Sequence, residues 1–150
     1  MKLANLLHED QVVLKLHSRT CGEVMEELVD LLARQGKLHN GMRDRALKAL
    51  QNRESQISTG IGCGVGLPHA YVEGLNEVLA VFGKSKAGLE FDSCDHAPVH
   101  FVVMLLIPEE EKTQHLLTLA DIGKRFLSCE TRKGLAAAGT PSEVISILSR

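Results

Sequence analysis

Residues 99–107 read Val99-His100-Phe101-Val102-Val103-Met104-Leu105-Leu106-Ile107, and they form the most hydrophobic stretch of the chain. Rich in β-branched residues and far too short to cross a bilayer, the stretch predicts a strand at the centre of a sheet. Pro108 ends it, because proline has no N–H to give to a ladder. Upstream, Asp92 to Pro98 is polar and turn-rich, and Glu77 to Gly83 predicts a second buried strand through Val78, Leu79, Val81 and Phe82. Lys84 to Gly88 reads as a turn and Leu89 to Phe91 as a short extended piece. Downstream, Glu109, Glu110 and Glu111 favour a helix N-terminus, and a helix over 112–127 turns Leu116, Leu119, Ala120, Gly123 and Phe126 inward.

The flanking chain alternates strands with helices. Gln11 to His17 predicts a first strand. Thr20 and Glu23 have capping-box spacing, and Val24, Leu28, Leu31 and Leu32 recur at helical intervals until Gly36. Asn40 is placed to cap a second helix running to about Asn52, with Met42, Ala46, Leu47 and Leu50 inward and Arg43, Arg45 and Lys48 facing water. A short strand follows at Val65 to Leu67. Helical patterning returns at Thr131 to Ala138, and Thr140-Pro141-Ser142-Glu143 combines a capping box with proline at the first helical position of a terminal helix. Without a repeat or linker, this order predicts one α/β layered domain over residues 1–150.

The composition of the 150 residues is that of an ordinary globular protein, with 44% hydrophobic and 24% charged residues and a net charge of -2. Basic residues are scattered and the chain has only one Tyr and four Phe to stack on bases, which argues against a nucleic-acid partner. Cys21, Cys63, Cys94 and Cys129 contain no Cys-x-x-Cys pair, so reduced thiols are expected rather than a zinc or redox centre. No secretory signal pattern or membrane-length apolar run is present, and the expected location is cytoplasmic.

The stretch built for chemistry is Arg53-Glu54-Ser55-Gln56-Ile57-Ser58-Thr59-Gly60-Ile61-Gly62-Cys63-Gly64-Val65-Gly66-Leu67-Pro68-His69-Ala70-Tyr71. Its glycines permit positive φ and close approach, Pro68 stiffens the entry to His69, and Arg53 is a permanent cation able to grip phosphate oxygens. On spacing alone, a glycine-rich loop before Pro-His is also the pattern of a plain turn with a half-buried histidine. The order of residues goes further. It closely resembles the signature of the fructose/mannitol/nitrogen-type (type 2) enzyme IIA of the bacterial phosphoenolpyruvate-dependent phosphotransferase system.

That resemblance implies a mixed β-sheet with helices on both faces. It also implies a phosphoryl group accepted on His69 from the histidine-containing phosphocarrier protein, with Arg53 stabilising the phosphate and His115 assisting. Read alone, Arg53 is a helix C-terminal cation and His115 a surface helix histidine. The implied chemistry requires no cofactor or metal. His96 and His100 with Asp92 and Asp95 follow no familiar ligand spacing, and the Asp92 to Pro98 segment resembles a structural turn of the family. The free-standing chain most resembles the nitrogen-regulatory form, whose phosphorylation state signals to regulatory proteins. The alternatives are a sugar-specific form donating to an enzyme IIB and a non-catalytic binding module with the same fold. An exposed apolar face would also admit a homodimer. Cys63, Gly66 and Ala70-Tyr71 depart from the usual family residues, which bears on the subtype and partner rather than on the reaction.

Overall fold

The computed structural model describes residues 2–39 and 41–150. Strand β6, Val99–Pro108, lies where the apolar run predicts it. On one side it pairs antiparallel with β5, Leu79–Leu89, placing Phe82 opposite Val103. On its other side run β3, Val65–Gly66, and β4, His69–Val72, both parallel to β6. β1, Val12–Val13, is parallel to β5, and β2, Gly60–Gly62, is antiparallel to β3. The order is therefore β1-β5-β6-β3-β2, with β4 following β3 along β6 in a mixed sheet.

Alternation along β6 explains why its sequence is apolar from Phe101 onward. Val102, Met104 and Leu106 pack with α2, Cys21–Arg34, and α3, Met42–Gln56. Phe101, Val103, Leu105 and Ile107 pack on the opposite face with α1, Leu3–Leu6, α4, Leu116–Phe126, α5, Cys129–Ala137, and α6, Pro141–Leu148. Both faces are dry, so no position is left for the polar half of an alternating strand. Phe82 anchors the second core, stacked with Phe101 at 6.5 Å and Phe126 at 6.2 Å between ring centroids.

The helix caps act as their spacing predicts. Thr20 Oγ1 accepts from Glu23 N at 3.2 Å, Glu23 Oε1 accepts from Arg19 N at 3.1 Å, and Gly36 leaves the helix at φ +75. Thr140 Oγ1 accepts from Glu143 N at 3.2 Å, with Pro141 opening α6.

Tertiary contacts moved other boundaries. α3 continues past Asn52 to Gln56, so Arg53 lies in its last turn. Asn40, the expected cap, lies outside the described residues. Arg43 does not simply face water, since it bridges to α2 through Asp30 at 2.8 Å and Glu26 at 3.2 Å. Arg45 Nη1 donates to the Glu73 carbonyl at 3.0 Å. The expected strand at Gln11 to His17 shortens to Val12–Val13, because Glu9–Gln11 forms a 3-10 turn; Leu16 N still donates to the Lys84 carbonyl at 3.0 Å.

Two further expectations are corrected. Lys84 to Gly88 is not a turn, because β5 runs through it with a register shift before Leu89. Lys84 Nζ donates to the carbonyls of Leu135 at 3.0 Å, Ala136 at 3.3 Å and Ala138 at 2.7 Å, closing the C-terminus of α5. The helix expected from Lys112 starts only at Leu116, after a 3-10 turn at Glu109–Glu111. Its inward residues are Thr118, Ile122 and Phe126, while Leu116 and Ala120 are exposed. The face is set by where the chain leaves β6, which helical periodicity alone does not determine.

Candidate functional site

His69 opens β4 opposite Leu105, half-buried, with its Nδ1 2.8 Å from the Leu67 carbonyl oxygen. A carbonyl oxygen only accepts, so this bond requires the proton on Nδ1 and leaves Nε2 with the free lone pair. Burial holds the imidazole below the ordinary histidine range; the Leu67 bond opposes this, the Arg53 charge adds to it, and the Glu54 charge opposes it. The ring is therefore a neutral nucleophile at physiological pH, and the cation that influences it is Arg53.

A chain of hydrogen bonds holds Leu67 in place. Glu54 Oε1 accepts from Thr59 N at 2.9 Å and Oε2 from Thr59 Oγ1 at 2.6 Å. The Thr59 carbonyl accepts from Leu67 N at 2.9 Å, and the Leu67 carbonyl then receives His69 Nδ1. Pro68 joins the same arrangement, its carbonyl accepting from Leu105 N at 3.0 Å. Glu54 was not singled out as functional from the sequence. Its only signal is its position directly after Arg53, and its partner emerges only when the end of α3 folds back over the hairpin.

Arg53 Nη1 donates to the Ile57 carbonyl at 3.0 Å, which fixes the guanidinium at the end of α3. His115 is buried at the N-cap position of α4, with Nε2 3.5 Å from Glu111 Oε1 and Nδ1 3.4 Å from Thr118 Oγ1. Ala70 and Val72 of β4 point to the α2/α3 core and Tyr71 to the α4 core, so alternation puts His69 on the α4 side with His115. On that face the Tyr71 ring meets His69 edge-on at 6.5 Å, and Lys112 Nζ sits 5.0 Å above the Tyr71 ring. Among the described residues no hydrogen bond joins the two imidazoles. The structure thus brings Arg53 to His69 and places His115 on the same sheet face, with Tyr71 against His69 and Lys112 over Tyr71. Neither of those two residues was singled out from the sequence for a role at the site.

The surroundings are open and partly apolar. Ile57 is 68% exposed beside Arg53, and Leu116 and Leu117 next to His115 are 55% and 77% exposed. A groove of about 1370 Å³ lies between the start of α2, the end of α3 and the segment from Gly88 to Pro98; Glu54 and Ile57 line it, and His69 does not. A histidine on an open surface suits transfer between macromolecules rather than capture of a small substrate.

Two of the other candidate ligands, Asp95 and His100, are spent on structure. Asp95 accepts from Cys63 N at 3.0 Å and Ala97 N at 3.1 Å, bonds that hold its carboxyl below the usual range. His100 Nδ1 donates to the Ser85 carbonyl at 2.9 Å. Among the described residues no group of three or more His, Cys, Asp or Glu is arranged for a metal ion, and no helix is long and apolar enough to cross a membrane.

Residues 5–150 match the family described as phosphoenolpyruvate-dependent sugar phosphotransferase system, EIIA 2. The chain belongs to this family. As an EIIA component it is a phosphoryl carrier of that system. The EIIA chain is 34% identical over 150 residues to the fructose-specific EIIABC component of Bacillus subtilis, covering 100% of this chain and 23% of that much longer protein. It is 31% identical over 125 residues to the fructose-specific EIIA component of Haloferax volcanii, covering 83% of this chain and 80% of that one. Among solved structures, nitrogen regulatory protein IIA-Ntr from Neisseria meningitidis superimposes with a TM-score of 0.89 at 28% identity, covering 97% of this chain and 98% of that chain. The EIIA fold, a mixed sheet with helices on both faces, is the one the glycine-rich signature implied.

Proposed function

We propose that His69 is the phosphoacceptor and that residues 1–150 act as one EIIA unit in the cytoplasm. The observation that carries this reading is the 2.8 Å bond from Nδ1 to the Leu67 carbonyl, which dedicates Nε2 to nucleophilic attack. Nε2 attacks the phosphorus of a phosphohistidine on the histidine-containing phosphocarrier protein. As the new N–P bond forms, the donor's N–P bond breaks, and the donor leaves as a neutral imidazole. Arg53 offsets charge on the phosphoryl oxygens. Positive charge on the phosphorylated ring strengthens the Nδ1–H bond to Leu67, so the fold stabilises the product as well as aiming the reactant. His115 acts as a helper on the same face.

Phosphorylation would add a charge of roughly -1.5 to -2 to a surface that includes exposed Ile57, Leu116 and Leu117. Partners that bury those residues would then distinguish the two states, as the nitrogen-regulatory reading requires. A second reading, donation to a sugar-specific enzyme IIB, is favoured by the 34% and 31% identities to fructose-specific proteins.

Incubation with phosphoenolpyruvate, enzyme I and the phosphocarrier, followed by intact mass, tests the acceptor. One phosphoryl group is expected on the wild type and on His115→Ala, and none on His69→Ala. An unmodified wild type would sink the carrier role for this chain and favour the binding-module reading. Discharge of the phosphorylated chain by a fructose-type enzyme IIB would select the sugar-specific reading over the regulatory one.

A further inference from the structure

Two turns outside the His69 site face each other, and each carries an exposed cysteine. The first is the β2–β3 hairpin, in which Gly62 pairs with Val65 and leaves Cys63-Gly64 as a two-residue loop at φ +57 and +78, as in a type I′ turn. Asn, Asp or Gly ordinarily fill its first position because other side chains resist positive φ, yet cysteine stands there. The second is Asp92 to Pro98, with Cys94 exposed and Asp92 and His96 at φ +52 and +58. The positive-φ residues other than glycine, among those described, all lie in these two turns.

The turns are already fastened together. Asp95 Oδ2 accepts from Cys63 N at 3.0 Å, and Cys94 N donates to the Gly60 carbonyl at 3.5 Å. A Cβ placed on Gly62 would sit 3.6 Å from Cys94 Sγ, so this sulfur reaches the hairpin one residue from Cys63. Successive Cα atoms are ~3.8 Å apart, so Cys63 stands one such step from that point, and a bond to Cys94 requires the hairpin tip to turn the Cys63 side chain toward it. Gly62 and Gly64 on either side of Cys63 make such a movement possible.

We propose that Cys63 and Cys94 form a reversible disulfide that ties the Asp92 to Pro98 turn to the glycine hairpin. With a small-molecule disulfide as oxidant, the thiolate of one cysteine attacks a sulfur of the reagent and expels the first thiolate. The second cysteine then attacks the mixed disulfide and expels the other. The two cysteine sulfurs lose two electrons, the reagent gains them, and the two cysteine protons end on the two released thiols. Solvent exposure of both cysteines suits a labile, reagent-accessible bond rather than a buried structural one. Cys21 is less suited to compete, since burial and the Glu54 carboxylate push its thiol up, away from the reactive thiolate.

The experiment treats the whole protein with oxidised glutathione and reads intact mass and tryptic peptides, neither of which depends on phosphoryl transfer. Expected are the loss of two hydrogens, a linked peptide joining Cys63 to Cys94, and reversal by dithiothreitol. Cys63→Ser and Cys94→Ser should each instead retain a glutathione adduct on the remaining partner, while a Cys21→Ser, Cys129→Ser double variant should behave as wild type. A wild type that stays reduced, carries glutathione on both Cys63 and Cys94, or links a different pair overturns the proposal.

Discussion

Strand β6 and the stretch from Arg53 to His69 solve the same problem, satisfying the backbone while excluding water, by opposite means. In β6, neighbouring strands supply the hydrogen bonds and the side chains fill two dry cores. In the other stretch, side chains bond the backbone directly: Glu54 holds Thr59, and Ser58 Oγ accepts from Gly60 N at 3.1 Å. Its glycines also make room. A Cβ at Gly60 would lie 3.0 Å from Ser93 Cα, and one at Gly66 would lie 2.7 Å from the Phe91 ring. The first region tolerates exchange among apolar residues of similar volume, whereas the second depends on particular residues in a particular order. A framework that spends its side chains on packing can thus carry a loop that spends them on orientation.

The sharpest separation of the two regions pairs one variant from each. His69→Ala should abolish phosphoryl uptake while its urea midpoint moves only slightly, since the half-buried ring gives up part of its packing and one hydrogen bond, to the Leu67 carbonyl. Phe82→Ala, in the second core between two aromatic rings, should do the reverse, losing about 3–5 kcal/mol of stability in urea denaturation while the folded fraction still accepts phosphate. If His69→Ala also unfolded the protein, the division between packing and orientation would fail.

Glu54→Ala probes the border between them. It leaves the buried Thr59 N–H and hydroxyl without their acceptor, at a cost of about 1–3 kcal/mol. Because Thr59 holds Leu67, phosphorylation of the folded protein should also slow, by about tenfold, roughly the lower end of the cost of disturbing the outer partners of a site. An unchanged rate in stopped-flow or quench measurements would show that Leu67 keeps its place without this support.

The smallest effect is in pH. Burial lowers the His69 pKa, so the folded state binds its proton less readily than the unfolded chain, whose histidine titrates near 6.5. The stability contributed by neutral His69 is full above that value and declines as pH falls through the lower folded value. Phosphoryl acceptance should likewise hold nearly level from pH 8 to below 6.5. An NMR titration of the imidazole, assigned by its absence in His69→Ala, checks this; a midpoint at or above 6.5 would contradict the burial argument.

Much of this was legible in the residues. The apolar run from Val99 to Ile107 closed by Pro108 reads as a central strand, and Thr20, Gly36 and Thr140 mark helix ends through local bonds that neighbouring residues make. The order of residues from Arg53 to His69 named the family, and through that resemblance it implied His69 as the phosphoacceptor proposed above. Other features depend on residues far apart in the chain. Lys84 belongs to a strand because its ammonium closes a helix at Leu135 to Ala138, and α4 presents Thr118, Ile122 and Phe126 inward because of where the chain leaves β6. Only folding joins Glu54 to His69 through Thr59 and Leu67, and only folding brings the charge of Arg53 to the imidazole. The reason is physical: periodicity and caps are set by interactions within a few residues, whereas the orientation and protonation of His69 depend on partners that the sheet and the end of α3 bring together.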